Sequence, residues 1–217
     1  MTIQPCGDSM LLVELEAAID PVINERAILL ASRVRACQAR GVRDVAPGYS
    51  TLGVHFDPLQ TDLAALERTI ETEFAALASL ETIVDRAVID IPVIYGGAGG
   101  PDIAHVAAFA KCSVADVIAR HSERTYRVYM LGFVPGFAYM GRVDQSIAAP
   151  RHRVPRERVP VGSVGIAGLQ TGVYPVESPG GWQLIGHTTT VMFDSGRDQP
   201  SLLAAGDLVR FVAVGNR

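Results

Sequence analysis

Lysine is almost absent from this 217-residue sequence, because Lys111 is the only lysine among 19 basic residues. A P-loop requires a lysine after its glycine-rich turn, and a Ser-Ser-Lys amidase requires one near its serines. No glycine-rich stretch here is followed by Lys-Ser or Lys-Thr, and Lys111 falls in a helical pattern away from any serine-rich loop. The sequence therefore excludes a P-loop and argues against an amidase triad.

Paired cysteines, long apolar runs and excess positive charge are also missing. The three cysteines contain no CxxC pair and the five histidines show no paired metal-ligand spacing, so we predict neither a disulfide framework nor a metal site. No apolar run approaches the roughly 20 residues of a membrane helix, and the sequence starts without a secretory pattern. The net charge of −4 disfavours nucleic-acid binding. We expect a cytoplasmic protein that contacts neither nucleic acid nor membrane.

Hydrophobic periodicity predicts an α+β protein of two domains. Strand-like alternation occurs at residues 10–15, 42–46, 49–56 and 87–93, and amphipathic helices are predicted to begin at Asp20-Pro21, with a stop at Gly41, and after Asp57-Pro58. The order β-α-β-β-α-β is the split βαβ, ferredoxin-like arrangement. We therefore predict a ferredoxin-like domain over residues 1–90.

The remaining residues, 91–217, are predicted to form a small β-barrel domain with one or two helices at its entrance. One helix begins near Pro101, and Ser113 to Asp116 has the pattern of a capping box before a second helix that ends near His121. From Thr125 onward short apolar runs alternate with Gly/Pro turns, which is typical of short strands. The glycines at 96–100 could bind an anion or could be an inter-domain turn, since neither the dinucleotide nor the P-loop spacing is present.

The candidate functional residues are concentrated between residues 131 and 188. Arginine side chains suit carboxylate or phosphate, and the predicted catalytic residues are Arg151, Arg156 and His187. Hydrogen-bonding groups mixed with aromatic faces are typical of a small-ligand groove. The predicted substrate-binding residues are Tyr139, Ser163, Gln170, Thr171, Tyr174 and Trp182.

Two of these assignments have plain alternatives. Tyr139 and Phe137 are also compatible with the barrel core, which is the place that we favour for both. Ser163 is not in a nucleophile elbow, because Val161 occupies the first glycine position of G-x-S-x-G. We therefore interpret Ser163 as a hydrogen-bonding residue rather than a nucleophile.

Several long motifs resemble one known family. They are Tyr95-Gly-Gly-x-x-Gly-Pro-Asp102, Gly132-Phe-x-Pro-Gly-Phe-Ala-Tyr139-Met-Gly141, Val159-Pro160-x-Gly-Ser163-Val-Gly-Ile-Ala-Gly-x-Gln170-Thr-Gly-x-Tyr174-Pro, and Ser178-Pro-Gly-Gly-Trp182. Together they are similar to the family of 5-oxoprolinase B subunits, which also carries the labels KipI and allophanate hydrolase subunit 1. Where that family usually has Ile-Gly-Arg-Thr, this chain has Ile185-Gly186-His187-Thr188.

The resemblance implies an N-terminal α/β domain, a C-terminal cyclophilin-like β-barrel, and a cytoplasmic enzyme that works only with partners. The implied partners are the A and C subunits of 5-oxoprolinase, of which the C subunit is carboxyltransferase-like. The implied reaction opens 5-oxo-L-proline to L-glutamate. The implied cosubstrate is ATP, used by the complex without a P-loop in this chain.

Two other functions remain open from the sequence. One is half of a biotin-dependent carboxyltransferase that serves a urea or amide carboxylase. The other is a KipI-type binding module that inhibits a histidine kinase. The amidase implied by the allophanate label is disfavoured by the scarcity of lysine.

Overall fold

The chain has an α+β fold that divides into two compact units. The structure, a computed structural model, describes residues 1–77 and 86–215. The units are Met1–Asp85 and Arg86–Arg217, whereas the predicted boundary after residue 90 falls inside a strand of the second unit. Each unit buries a hydrophobic cluster of its own.

The first unit is a four-stranded antiparallel sheet with two helices. Its elements are β1 (Thr2–Pro5), β2 (Met10–Glu14), α1 (Pro21–Ala36), β3 (Val42–Pro47), β4 (Thr51–Phe56) and α2 (Leu63–Leu77). The strand order is β1-β2-β4-β3. β3 and β4 pair antiparallel and form a hairpin across Gly48.

The prediction that residues 87–93 complete this sheet is wrong. The edge next to β2 is occupied by β1, a strand that was not predicted from the sequence, and the strand at Val88–Tyr95 belongs to the barrel of the second unit. The described order is therefore β-β-α-β-β-α, and the predicted split βαβ order is not confirmed. Four residues containing Pro5 give too little alternation to be identified as a strand.

Helix α1 begins as predicted and ends earlier than predicted. The Asp20 carboxylate accepts the backbone N–H groups of Val22 and Ile23 at 2.8 and 3.2 Å, and Pro21 occupies the first helical position. The helix ends at Ala36, not at Gly41, because Gln38 adopts a left-handed conformation with φ of 46°.

Replacing Asp20 by alanine is expected to lower the free energy of unfolding by about 1 kcal/mol, because two N–H groups at the start of α1 lose their acceptor. Urea denaturation followed by circular dichroism measures the change. Asp8→Ala is the matched control, since Asp8 is exposed and lies outside the helices. Equal losses for the two variants would contradict the capping role.

The second unit is a closed seven-stranded barrel with two helices and a small additional sheet. Its elements are β5 (Val88–Tyr95), α3 (Ile103–Phe109), α4 (Val114–Ser122), β6 (Thr125–Leu131), β7 (Ala138–Gly141), β8 (Arg156–Val159), β9 (Ser163–Ala167), β10 (Gln170–Val173), β11 (Ser178–Gly180), β12 (Gln183–His187) and β13 (Leu208–Ala213). The barrel order is β10-β7-β6-β13-β5-β12-β9, and β8 pairs separately with β11.

The barrel is closed by its first and last strands. β13 pairs parallel with β5 and antiparallel with β6, and all other barrel pairs are antiparallel.

The predicted capping box at the start of α4 is confirmed, because Ser113 accepts from the Asp116 N–H at 3.1 Å and Asp116 accepts from the Ser113 N–H at 2.9 Å. Among the described residues, no helix has the length and apolar character needed to cross a membrane.

Candidate functional site

Two neighbouring clefts in the second unit collect most of the predicted site residues. The larger, here called the glycine-loop cleft, has a volume of about 560 Å³ and is lined by the backbone of residues 96–99 and by Arg156, Arg158, Ser163 and His187. The smaller, here called the aromatic cleft, has a volume of about 270 Å³ and is lined by Phe133, Phe137, Tyr139, Arg151, Tyr174 and Trp182.

The loop of the larger cleft brings peptide groups to the cleft surface. Gly96 and Gly97 have positive φ values of 73° and 57°, which favour glycine. A Cβ atom on Gly97 would meet nothing within 4 Å, so its backbone faces open space. Gly99 packs against His187, whose Cβ would lie 2.7 Å from an added methyl group. The loop therefore exposes backbone on one side and supports His187 on the other.

Asp102 holds Arg156 at this cleft. The Arg156 Nη2 group donates to both Asp102 carboxylate oxygens at 2.6 and 2.8 Å, and Nη1 donates to the Trp182 carbonyl at 3.3 Å. Asp102 is 8% exposed and also accepts the Leu184 backbone N–H at 2.7 Å. A charged pair with this many hydrogen bonds fixes the guanidinium group in one orientation.

Asp102 was not identified as a functional candidate from the sequence, although it stands at the end of the Tyr95–Asp102 motif. The feature of the sequence that could have identified Asp102 is its position directly after the glycine-rich loop at residues 96–100. His152 was missed as well. Its Nε2 atom lies 3.4 Å from Asp102 Oδ2, is buried, and makes no hydrogen bond within the described part of the chain. Asp102 therefore faces both a guanidinium and an imidazole.

His187 and Ser163 lie opposite each other in the β9–β12 pair, on the wall of the glycine-loop cleft. The His187 Nε2–H group donates to the Val161 carbonyl at 3.0 Å, so Nδ1 is the ring nitrogen that this bond leaves for a ligand. Gly162, with φ of 79°, passes so close that a Cβ there would lie 2.8 Å from Nε2. The ring is held in place by backbone on two sides.

Aromatic rings in edge-on contact form the walls of the aromatic cleft. Phe137 makes edge-on contacts with Tyr139, Tyr174 and Trp182 at centroid distances of 4.9, 5.3 and 5.3 Å. Phe133 contacts Phe137 edge-on at 5.7 Å. Burial raises the pKa of both tyrosines, so each hydroxyl stays protonated at neutral pH. The walls are thus apolar with neutral hydroxyl groups.

Two predicted substrate-binding residues line neither cleft. Gln170 starts β10, and Thr171 is fully buried in the barrel. The Thr171 hydroxyl donates to the Gly165 carbonyl at 3.0 Å and accepts from His121 Nε2 at 2.8 Å. The Thr171 side chain therefore lies in the barrel interior, where it is hydrogen-bonded to His121 and Gly165.

His121 is fully buried at the centre of this interior network. The Tyr95 hydroxyl donates to His121 Nδ1 at 2.7 Å, and the imidazole stacks on Phe211 with centroids 4.6 Å apart. Burial lowers the pKa of His121 to about 3, so the ring is neutral at physiological pH. The sequence predicted only that His121 lies near the end of a helix. Its contacts with Tyr95, Thr171 and Phe211 are seen only in the folded chain.

Comparisons with known proteins agree over nearly the whole chain. Residues 1–203 match the family described as "Carboxyltransferase domain, subdomain C and D". The chain is 44% identical over 207 residues to the 5-oxoprolinase B subunit of Escherichia coli O157:H7, covering 95% of this chain and 93% of that protein.

Solved structures share the fold. TTHA0988 matches with a TM-score of 0.84 and 34% identity, covering 96% of this chain, which spans only 40% of that longer chain. The K. lactis urea amidolyase matches with a TM-score of 0.80 and 23% identity, covering 98% of this chain and 15% of that chain. The second likeness shows the fold alone.

Proposed function

Because the chain belongs to the family of 5-oxoprolinase B subunits and carries the carboxyltransferase C and D subdomains, we propose that it is the B subunit of a cytoplasmic, ATP-dependent 5-oxoprolinase. The observation that carries the proposal is the likeness to a 5-oxoprolinase B subunit over nearly the full length of both chains. The reaction is hydrolysis of 5-oxo-L-proline to L-glutamate. The chain acts in a complex with the A subunit and the carboxyltransferase-like C subunit, and it is inactive alone. The class that we propose for the barrel is cyclophilin-like.

The glycine-loop cleft fits a polyphosphate group. Gly97 presents backbone to open space, and Arg156 and Arg158 supply guanidinium donors. Each arginine also has a carboxylate partner, Asp102 for Arg156 and Glu177 for Arg158. Arg156 is the donor held in a fixed orientation, because its pair with Asp102 is largely buried, whereas the pair between Arg158 and Glu177 is exposed. Aimed donors of this kind suit the charge that develops in phosphoryl transfer.

ATP, when bound, supplies the phosphoryl group that makes a resonance-stabilised lactam carbonyl reactive. Arg156 is held in one orientation by Asp102 and can bind a phosphate oxygen without first losing side-chain freedom. His187 lines the same cleft, and its Nδ1 atom, which the bond from Nε2–H to Val161 leaves available, can take part in one hydrogen bond. These residues bind and orient, and the partner proteins complete the reaction centre.

The test is reconstitution of the three-protein complex from purified components. We expect glutamate release from 5-oxoproline that depends on ATP and on this chain. A complex that keeps full activity when this chain is omitted would refute the proposal.

A second candidate function is half of a biotin-dependent carboxyltransferase. The match to the carboxyltransferase C and D subdomains and the fold shared with K. lactis urea amidolyase favour it. The same reconstituted complex separates the two functions. Transfer of a carboxyl group from a carboxybiotin carrier, without glutamate release, would select the carboxyltransferase.

A further inference from the structure

The aromatic cleft has the size and lining of a site for a small ring compound. Its volume of about 270 Å³ lies below the about 300–1,000 Å³ of sites for drug-sized ligands. Phe137, Tyr139, Tyr174 and Trp182 surround it with ring faces and edges. The larger glycine-loop cleft is the one with room for a nucleotide.

Arg151 distinguishes this cleft chemically from an ordinary apolar pocket. The segment from Pro150 to Pro160 carries four arginines, of which Arg156 and Arg158 are paired with carboxylates. Arg151 lines the aromatic cleft and, among the described residues, takes part in no ion pair or side-chain hydrogen bond. A guanidinium group without a partner beside apolar walls is suited to a ligand that carries a carboxylate.

Phe133 supplies a second, independent sign of ligand binding. Its φ of 71° is unusual for a bulky residue, and its side chain is 59% exposed although it lines the cleft. Backbone strain at such a residue costs free energy and is found preferentially where a site needs it. The conformation places an uncovered ring at the cleft, where a ligand would bury it.

We propose that the aromatic cleft binds a compact ring carboxylate, and specifically a five-membered lactam carboxylate. Arg151 binds the carboxylate, and the rings of Phe133, Phe137 and Trp182 contact the methylene groups of the ligand. This inference rests on the proposed function, because it assigns the 5-oxoproline subsite of that enzyme. The Arg156–Trp182 hydrogen bond joins this subsite to the glycine-loop cleft, so lactam and phosphate sites adjoin.

The chain contains its own reporter for this cleft. Trp182 is the only tryptophan in the sequence, and it lines the cleft. We expect 5-oxoproline to change the tryptophan fluorescence of the full chain in a saturable way. 2-Pyrrolidinone, the same ring without the carboxylate, should require a much higher concentration.

Replacing Arg151 by glutamine should remove the carboxylate contact. In the reconstituted complex we expect KM for 5-oxoproline to rise about 10- to 100-fold, as for loss of a charged hydrogen bond, with KM for ATP unchanged. The preference for 5-oxoproline over 2-pyrrolidinone in the fluorescence titration should largely disappear. Arg153→Gln is the matched control, since Arg153 is exposed and lines neither cleft, and Arg151→Lys should fall between the wild type and the glutamine variant.

The outcomes separate the subsite from the enzyme function. An active complex whose KM and fluorescence response ignore Arg151 overturns the subsite and leaves the proposed function standing. An inactive wild-type complex with an Arg151-dependent fluorescence response supports the subsite and refutes the proposed function. If neither activity nor a fluorescence response is found, both proposals are refuted.

Discussion

Replacing Asp102 by alanine is expected to lower the free energy of unfolding by about 3 kcal/mol. The substitution leaves the Leu184 N–H without its acceptor and deprives Arg156 of both carboxylate bonds. Removing one partner of a buried ion pair typically costs about 3–5 kcal/mol, and the partial exposure of the Arg156 side chain places this pair at the lower end. Thermal and urea denaturation measure the loss.

The pair between Asp90 and Arg210 is a close control for this prediction. Arg210 also donates two hydrogen bonds to its carboxylate partner, through Nε and Nη2 at 2.9 and 2.8 Å, but both side chains are about half exposed. Solvent screening makes exposed pairs weak, so Asp90→Ala should change stability far less than Asp102→Ala. A loss at Asp90 as large as that at Asp102 would contradict the importance of burial.

The substitution Asp102→Ala should also reduce turnover of the reconstituted complex, because Arg156 is then no longer held at the glycine-loop cleft. If Asp102 acts through Arg156, the double variant Asp102→Ala/Arg156→Ala should be hardly slower than Arg156→Ala alone. Additive effects on turnover would show that Asp102 acts independently of Arg156. Urea denaturation of each variant separates loss of turnover from loss of folded protein.

The second large effect is a pH-dependent loss of stability that comes from His121. Its pKa is about 3 in the folded chain, while an unfolded histidine has a pKa of about 6.5. Below about pH 6.5 the imidazole of His121 binds a proton in the unfolded chain but not in the native chain. The free energy of unfolding therefore has its full value above that pH and falls as the pH is lowered toward 3. The expected slope from this residue is about 1.4 kcal/mol per pH unit.

Replacing His121 by phenylalanine should flatten this slope. At pH 7 the variant should lose about 2 kcal/mol, because the partly buried Tyr95 hydroxyl loses its acceptor while the stack on Phe211 is kept. The stability difference between wild type and variant should vanish near pH 5, since the wild type alone has then lost about 2 kcal/mol to protonation. Urea denaturation between pH 4 and 8 measures both curves.

His55→Gln is the control for removing a histidine, because His55 is exposed on β4 and lies outside the barrel interior. A His121→Phe variant with an undiminished slope would show that other groups cause the acid sensitivity.

Local chemistry made much of the fold predictable. Asp20 and Pro21 mark the start of α1, and Ser113 and Asp116 mark the start of α4, because capping depends on residues a few positions apart. The prediction that the strand at Val88–Tyr95 belongs to the sheet of the first unit was wrong, because strand pairing depends on residues that are far apart in sequence. Its partners are β12 and β13, about a hundred residues away, and no local pattern specifies which distant strand pairs with it.

The candidate site shows the same division. Arg151, Arg156 and His187 stand out in the sequence, and the structure places Arg156 and His187 on one cleft and Arg151 on another. Asp102 and His152 were missed because their importance lies in a contact across 50 residues of sequence, which only the folded chain creates. Thr171 was predicted to bind substrate, but the alternation of a β-strand places successive side chains on opposite faces, and its side chain faces inward to His121.

Strand β13 gives the chain an order of assembly during synthesis. The sheet of the first unit is complete in residues 2–56, whereas the barrel closes only when residues 208–213 insert between β5 and β6. Until β13 has emerged from the ribosome, β5 and β6 each have one unpaired edge, and unpaired edges are the surfaces most prone to pair with other chains. Protection of nascent barrels by a chaperone or by early encounter with a partner protein would matter most in this interval.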